Sequence, residues 1–452
     1  MQYSSQVRLG IIGGGPGGYS AALRASQKGL DTTIFEKEEI GGVCLNVGCI
    51  PTKALITCAN LQNSLKKSKR FGINVEVKSS DWEKIQDFKA SATKRLVLGV
   101  SNLLRKRGIG IIKKKAKLLD EFVIEAGSNR YEFDRIIIAA GSLPKKPTFP
   151  IVEGMWDSSD AINSQVIPQS LTIIGGGVIG LEFAHIYASF GSDVSIIELE
   201  SEILPGEDKD LAASLRKTFE KRGIRFYISA SVKEIKADEN FKINFLHNGE
   251  KKELEADKVL LSIGRSPFIQ EFASNLTVEG EAIKVDTHLR TSVKNIYAIG
   301  DCIGGNLLAH AAYKEAEIAV RNILGEDIEI DERVVPRVVY TNPEFASVGF
   351  TEDELKREGM DFERARFPFS GNPRAIASGE TVGEVKIFYN KKGEILGGCI
   401  INIEASELIS QVSIAMEYGI NVKKLSSVVF PHPTLSEAIK EATSIADGNP
   451  IH

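Results

Sequence analysis

The sequence predicts an α/β protein with two Rossmann-like dinucleotide-binding domains. Three observations carry this expectation. Gly13-x-Gly15-x-x-Gly18 follows an apolar strand at 7–12 and precedes an Ala-rich helix at about 19–28, and a second strand, 32–35, ends at Glu36. The pattern recurs downstream: a strand at 171–174, Gly175-x-Gly177-x-x-Gly180, a helix through Phe190, and a strand at 193–197 ending at Glu198. In both copies the acid stands 18 residues after the third glycine, and the copies lie 162 residues apart. The length, 452 residues, exceeds what one core organises and indicates two to four domains.

Each element has a physical reason. The first glycine of the turn permits a tight bend, the second admits a pyrophosphate against the backbone, and the third lets helix and strand pack closely. The helix N-terminus offers amide donors and partial positive charge to the phosphates. The carboxylates of Glu36 and Glu198 are placed to accept from ribose hydroxyls. After Glu198 the chain reads Leu199-Glu200-Ser201-Glu202, with no Lys or Arg from 198 to 208. Such a site repels a ribose 2′-phosphate, which favours NAD over NADP.

Cys44 and Cys49 lie in Gly41-Gly42-Val43-Cys44-Leu45-Asn46-Val47-Gly48-Cys49-Ile50-Pro51-Thr52-Lys53. Regular helical geometry would separate their Cα atoms by ~8–9 Å, whereas a disulfide needs ~4.4–6.8 Å. A bridge therefore requires a distorted helix, and Gly48 and Pro51 are the residues expected to distort it. A short bridge of this kind suits redox exchange rather than stapling. Its position beside the first glycine turn points to a flavin there. Lys53, four residues after Cys49, falls on the same helical face. At the far end, His432 stands between Pro431 and Pro433 and is suited to take a thiol proton. Glu437 reads equally as its partner carboxylate and as the last residue of a capping box that begins at Thr434.

The cysteine segment resembles the redox-active site of the pyridine nucleotide-disulfide oxidoreductases, and the resemblance runs along nearly the whole chain. The run Ile50-Pro51-Thr52-Lys53-Ala54-Leu55 is most similar to members that act on dihydrolipoyl groups. The resemblance implies FAD at the first site, NAD at the second, and a C-terminal α+β dimerisation domain. It implies that Cys44 exchanges with substrate while Cys49 lies next to the flavin, that Lys53 near the flavin pairs with Glu182, and that His432 with Glu437 is the base of the other subunit's site in a homodimer. The run Thr291-Ser292-Val293-Lys294-Asn295-Ile296-Tyr297-Ala298-Ile299-Gly300-Asp301 is similar to the family's second FAD signature, which brings Asp301 to the flavin. By the same comparison Ala116 and Ala309 lie against FAD, and Val232 and Gly264 near NAD. The implied partner is a lipoyl-bearing acyltransferase or a glycine cleavage carrier protein. Glutathione-type and mercuric reductases fit less well: the former would carry basic residues after the second motif, the latter a C-terminal cysteine pair, and the last cysteine here is Cys399.

These expectations divide the chain into an FAD domain (1–148), an NAD domain (149–267), a central domain completing the FAD site (268–332) and an interface domain (333–452). The stretch 61–107 is expected to be helical and polar. Bulk properties are those of an ordinary globular chain: 42% hydrophobic, 26% charged, net charge −4 from 56 basic and 60 acidic residues. Nucleic acid and anionic membranes are not suggested as partners. No apolar run approaching ~18 residues is read as a membrane helix, and the polar start does not read as a signal peptide. Five cysteines and six histidines show no metal-ligand spacing. One exchangeable disulfide fits a reducing cytoplasm, with a mature mitochondrial-matrix form as the alternative.

Overall fold

The computed structural model describes residues 7–272 and 274–450. The chain forms two compact units, each built from three separate segments.

The first unit takes Met1–Leu55, Glu83–Lys146 and Gly264–Glu332. Its centre is a parallel sheet of five strands in the order Ile296–Ala298, Arg135–Ile138, Arg8–Ile12, Asp31–Phe35, Gly110–Ile112. Leu9 and Ile11 on the middle strand are fully buried, as a parallel sheet covered on both faces requires. Each such side chain contributes about 1.5–3 kcal/mol by leaving water. One face packs the helices Pro16–Gln27 and Ala309–Ile323 through Ala21, Ala22, Ala25, Ala316 and Ala319. The other packs Ile12, Phe35, Ile136 and Ile138 against Ile124 and Ala126 of an antiparallel sheet formed by Ala116–Leu118, Val123–Ala126 and Asn129–Glu132.

The first helix begins three residues earlier than its alanines suggest. Gly15 is its extended N-cap and Pro16 its first residue, where a missing N–H costs nothing. The stretch 61–107 is not one helical region: the helix Cys49–Lys67 runs into a short 3₁₀ turn, Ser68–Phe71, which ends at left-handed Gly72, and a new helix spans Trp82–Lys106. Residues 73–81 between them have no helix or strand.

The second unit takes Ile56–Trp82, Pro147–Ile263 and Arg333–His452. It holds a parallel sheet in the order Arg225–Tyr227, Asp193–Ile197, Ser170–Ile174, Lys258–Leu261. An antiparallel meander of Ala230–Ala237, Phe241–His247 and Glu250–Ala256 follows. Its C-terminal part is an antiparallel sheet in the order Arg337–Val339, Glu344–Gly349, Ile395–Asn402, Glu384–Tyr389, Glu363–Pro368. The helices Ala405–Glu417 and Glu437–Ala446 bury Leu408, Val412, Ile439 and Ala442 in the same core as that sheet.

A buried charge cluster joins this sheet to the helix Lys209–Glu220. Asp208 caps the helix, accepting from the Leu211 N–H at 3.1 Å. The fully buried Lys386 ammonium donates to both Asp208 oxygens at 2.9 and 2.8 Å. Beside it Arg337 donates to Glu207 at 2.6 Å, as does the Ser347 hydroxyl.

One correction concerns apolar length. The segment Gly42–Phe71 contains a window long and apolar enough to cross a membrane by length and composition alone. It is tied into the protein: Asn60 pairs with the His185 ring at 2.9 Å, and Asn63 donates to Ser189 Oγ at 2.8 Å.

Candidate active site

The two glycine turns are near copies in three dimensions. Gly13 (φ +107°) and Gly175 (φ +108°) adopt backbone that only glycine takes without strain. A Cβ would meet the Ala139 carbonyl oxygen at 2.1 Å in the first and that of Ser262 at 2.5 Å in the second. A Cβ on Gly18 or Gly180 would strike the carbonyl oxygen of Gly13 or Gly175 at 1.9 or 2.1 Å. Around the middle glycines there is open space: nothing lies within 4 Å of a Cβ on Gly177, and only Gly42 Cα at 4.0 Å for Gly15. That is the cradle a pyrophosphate needs, and the helices Pro16–Gln27 and Val178–Ser189 start at it.

Glu36 and Glu198 each clamp their own turn. Glu36 accepts from the Gly14 N–H at 2.7 Å and the Glu38 N–H at 2.9 Å. Glu198 accepts from Gly176 at 2.5 Å and Glu200 at 2.7 Å. A carboxylate has about four acceptor positions, so ribose hydroxyls can share these groups. The donor set fits a dinucleotide at both turns.

The dithiol lies in the first unit. The helix Gly42–Val47 stops at Gly48, whose backbone is non-helical (φ −141°, ψ −115°), and a new helix starts at Cys49. A Cβ at Gly48 would stand 2.8 Å from the Val43 oxygen and 3.2 Å from Cys44 Cα. The chain thus folds back on itself here, bringing Cys44 and Cys49 together as thiols. The expected share of Pro51 in this distortion is corrected: it is the third residue of the new helix, where its amide has no intrahelical partner to lose. The hydrogen bond that the Cys44 thiol donates to Cys49, together with burial, holds its pKa well above the ordinary value, and the Lys53 charge opposes this.

His432 and Glu437 lie in the second unit. The ring Nδ1 is 3.0 Å from Glu437 Oε1, and Glu437 Oε2 accepts from the Thr434 N–H at 2.8 Å. Glu437 thus meets the His432 ring and the Thr434 amide with separate oxygens, but the expected capping box is corrected: the helix N-cap is Ser436, the helix begins at Glu437 itself, and the Thr434 hydroxyl turns to the Pro431 carbonyl. Burial pushes the Glu437 acid up, but Thr434 and His432 outweigh it and hold the carboxyl below its usual range. The His432 side chain is 68% exposed.

The remaining expected residues are spread over both units. Glu182 is buried in the helix Val178–Ser189 and accepts from the Tyr340 N–H at 3.0 Å. Val232 lies on Ala230–Ala237 and packs near Tyr227 and Phe245. Gly264 accepts from the Lys145 N–H at 3.0 Å. Ala116 is a core residue, and Ala309 opens its helix. Asp301 lies in the 3₁₀ turn Gly300–Ile303 and accepts from the Ser142 hydroxyl. Arg265 donates to Ser142 Oγ at 2.8 Å and to its carbonyl at 2.6 Å.

Sequence reasoning missed Glu315. It accepts from the Gly300 N–H at 2.5 Å, next to Asp301, and burial raises its pKa to about 7 against the opposing pull of that amide. Its only signal was an acid on the inner face of an Ala-rich helix. No group of three or more His, Cys, Asp or Glu among the described residues is arranged to hold a metal ion.

Known proteins match this arrangement along its length. The model for pyridine nucleotide-disulphide oxidoreductases matches residues 7–316, and the dimerisation domain of that family matches 335–443. A dihydrolipoyl dehydrogenase of Geobacillus stearothermophilus is 40% identical over 454 residues, covering 98% of this chain and 96% of that protein. One from Bacillus subtilis is 40% identical over 455 residues, covering 98% and 97%. Among solved structures, LpdA from Mycobacterium tuberculosis has a TM-score of 0.90 at 27% identity, covering 97% of this chain and 99% of that one. The HOCl-induced flavoprotein disulfide reductase RclA from Escherichia coli gives 0.86 at 27%, with the same coverage.

Proposed function

The chain belongs to the pyridine nucleotide-disulphide oxidoreductase family, and on that premise we propose that it oxidises carrier-bound dihydrolipoyl groups to lipoyl groups with NAD⁺. The observation that carries the reading is the Cys44–Cys49 pair, folded together at Gly48 beside the first glycine turn. Identity of 40% to dihydrolipoyl dehydrogenases over nearly the full chain supports it.

FAD and NAD are the family's cofactors. The Gly13–Gly18 turn with Glu36 and Asp301 would hold FAD, which when bound would supply the two-electron link between the dithiol and NAD⁺. The chain's own residues do the rest. With Nδ1–H donated to Glu437, His432 keeps Nε2 as an acceptor and takes the proton of the first substrate thiol. The thiolate attacks Cys44 Sγ of the Cys44–Cys49 disulfide, forms a mixed disulfide and releases Cys49 as thiolate. The second substrate thiol then loses its proton and attacks the substrate sulfur bound to Cys44, Cys44 leaves as a thiolate, and the two substrate protons end on the Cys44–Cys49 pair. This closes the lipoyl disulfide and leaves the dithiol state that the structure contains. Lys53 favours the thiolate.

The match to the family's dimerisation domain supports a homodimer, in which we assign His432 of one chain to the dithiol of the other. The partner is a lipoyl-bearing acyltransferase or a glycine cleavage carrier protein, and the setting is the cytoplasm. The test is turnover of the purified flavoprotein with dihydrolipoamide and NAD⁺, beside glutathione disulfide and NADPH. Turnover of the first pair alone supports the reading, and turnover of the second pair alone overturns it.

A further inference from the structure

Three helices begin side by side in the first unit. Gly41, ahead of the helix Gly42–Val47, donates its N–H to the Gly14 carbonyl at 2.8 Å. A Cβ on Gly42 would lie 2.8 Å from Gly15 Cα, so this helix sits directly on the start of Pro16–Gln27. The helix Ala309–Ile323 closes on the same place: a Cβ on Gly17 would lie 3.6 Å from Ala312 Cβ. Two tyrosines stand in the first turns of the converging helices, Tyr19 on Pro16–Gln27 and Tyr313 on Ala309–Ile323.

Their hydroxyls are 2.5 Å apart, with ring centroids 6.0 Å apart and tilted by 54°. Tyr313 is 37% exposed and Tyr19 is half-buried. Burial raises the pKa of both phenols, and each also feels the charge of Cys44 and of Cys49. The pair is therefore protonated and borders the dithiol. Two phenols sharing one hydrogen bond use one O–H and leave the other to donate. Partly exposed aromatic faces take an apolar chain while the hydroxyl end meets a polar group.

We infer that Tyr19 and Tyr313 form the substrate-positioning wall of the dithiol site, their rings taking the apolar arm of a dihydrolipoyl group and the remaining hydroxyl donating to its thiolate as it closes on Cys44. This rests on the dihydrolipoyl reading above. Both are positioning residues; the sulfur chemistry belongs to Cys44 and Cys49.

The test is steady-state kinetics of the FAD-loaded wild type, Tyr19→Phe and Tyr313→Phe. Turnover is read with dihydrolipoamide and NAD⁺, and separately with NADH and ferricyanide, which involves no dithiol arm. Loss of the one hydrogen bond to the arm lowers the ratio of the two kcat/KM values about 3- to 10-fold in the variant that removes the donating hydroxyl, and the other variant, which loses only the bond between the phenols, falls less. Tyr313→Ala, which also removes the ring, lowers it further. If the wild type does not turn over dihydrolipoamide, the parent reading fails and this proposal with it. If the wild type is active and the ratio is unchanged in both Phe variants, because both rates hold or both fall together, the tyrosines are structural and the proposal alone is overturned.

Discussion

Replacing Gly48 by alanine should loosen the grip of the fold on its sulfur pair. The added Cβ would stand 2.8 Å from the Val43 oxygen and 3.2 Å from Cys44 Cα, both backbone atoms that no rotamer change can move. Ordinary contact begins at 3.4 Å, so the Val43 carbonyl must retreat by about 0.6 Å (3.4 minus 2.8). Overpacking of this kind costs about 1–3 kcal/mol. The dithiol form relieves the clash by letting Cys44 and Cys49 drift apart, whereas the disulfide ties them across residue 48 and cannot. Most of the cost therefore falls on the oxidised form. For a two-electron couple about 1.4 kcal/mol corresponds to 30 mV, so the Cys44–Cys49 potential should rise by about 20–60 mV. The assay equilibrates wild type and Gly48→Ala with thiol–disulfide buffers of graded potential, then alkylates and reads the two cysteines by mass spectrometry. A variant potential within about 10 mV of wild type, with an unchanged melting temperature, would refute the reasoning.

Three other perturbations have defined outcomes. Lys386→Met leaves the buried Asp208 without its cation and should destabilise the protein by about 3–5 kcal/mol; chemical denaturation checks this, and a loss under 1 kcal/mol contradicts the clasp. Burial raises the Glu315 pKa to about 7 in the folded state, from 4.5 for a free glutamate. The folded state thus binds the extra proton, and Glu315 makes stability fall as pH rises from about 4.5 to 7, by at most about 3 kcal/mol. Glu315→Gln should flatten that part of the stability profile, and identical profiles would exclude the assignment. Mixing Cys49→Ser and His432→Gln chains should restore activity through hybrid dimers, and no recovery after verified subunit exchange would argue against shared sites.

Much of this arrangement was legible from local pattern. The glycine turns, their strands and the acids at their ends are short-range features, and the first and third glycine of each turn stand where a Cβ would strike backbone. The place of the dithiol was legible as well, but its cause was not. Gly48 and Pro51 look equally disruptive in one dimension, and only the start of a helix at Cys49 separates a breaking residue from a harmless one. The break after Phe71 is marked only by Gly72 and by Ser79-Ser80-Asp81 ahead of Trp82, short polar residues that a solvated helix face also carries. What stayed illegible is long-range. Tyr19 meets Tyr313 across 294 residues, and Lys386 meets Asp208 across 178. No periodicity encodes such contacts, which follow from the order in which strands and helices assemble. Glu437 was legible only in part: its nearness to His432 held, whereas the helix starts too late for the residue to close a capping box.

The central claim is that Cys44 and Cys49 exchange electrons with a carried dithiol. The most direct measurement is differential alkylation of the oxidised flavoprotein before and after one equivalent of dihydrolipoamide, without NAD⁺ and without oxygen. The account predicts both cysteines protected before addition and labelled afterwards, with lipoamide formed in equal amount. Labelling of both before addition, or protection that the dithiol leaves untouched, would contradict it.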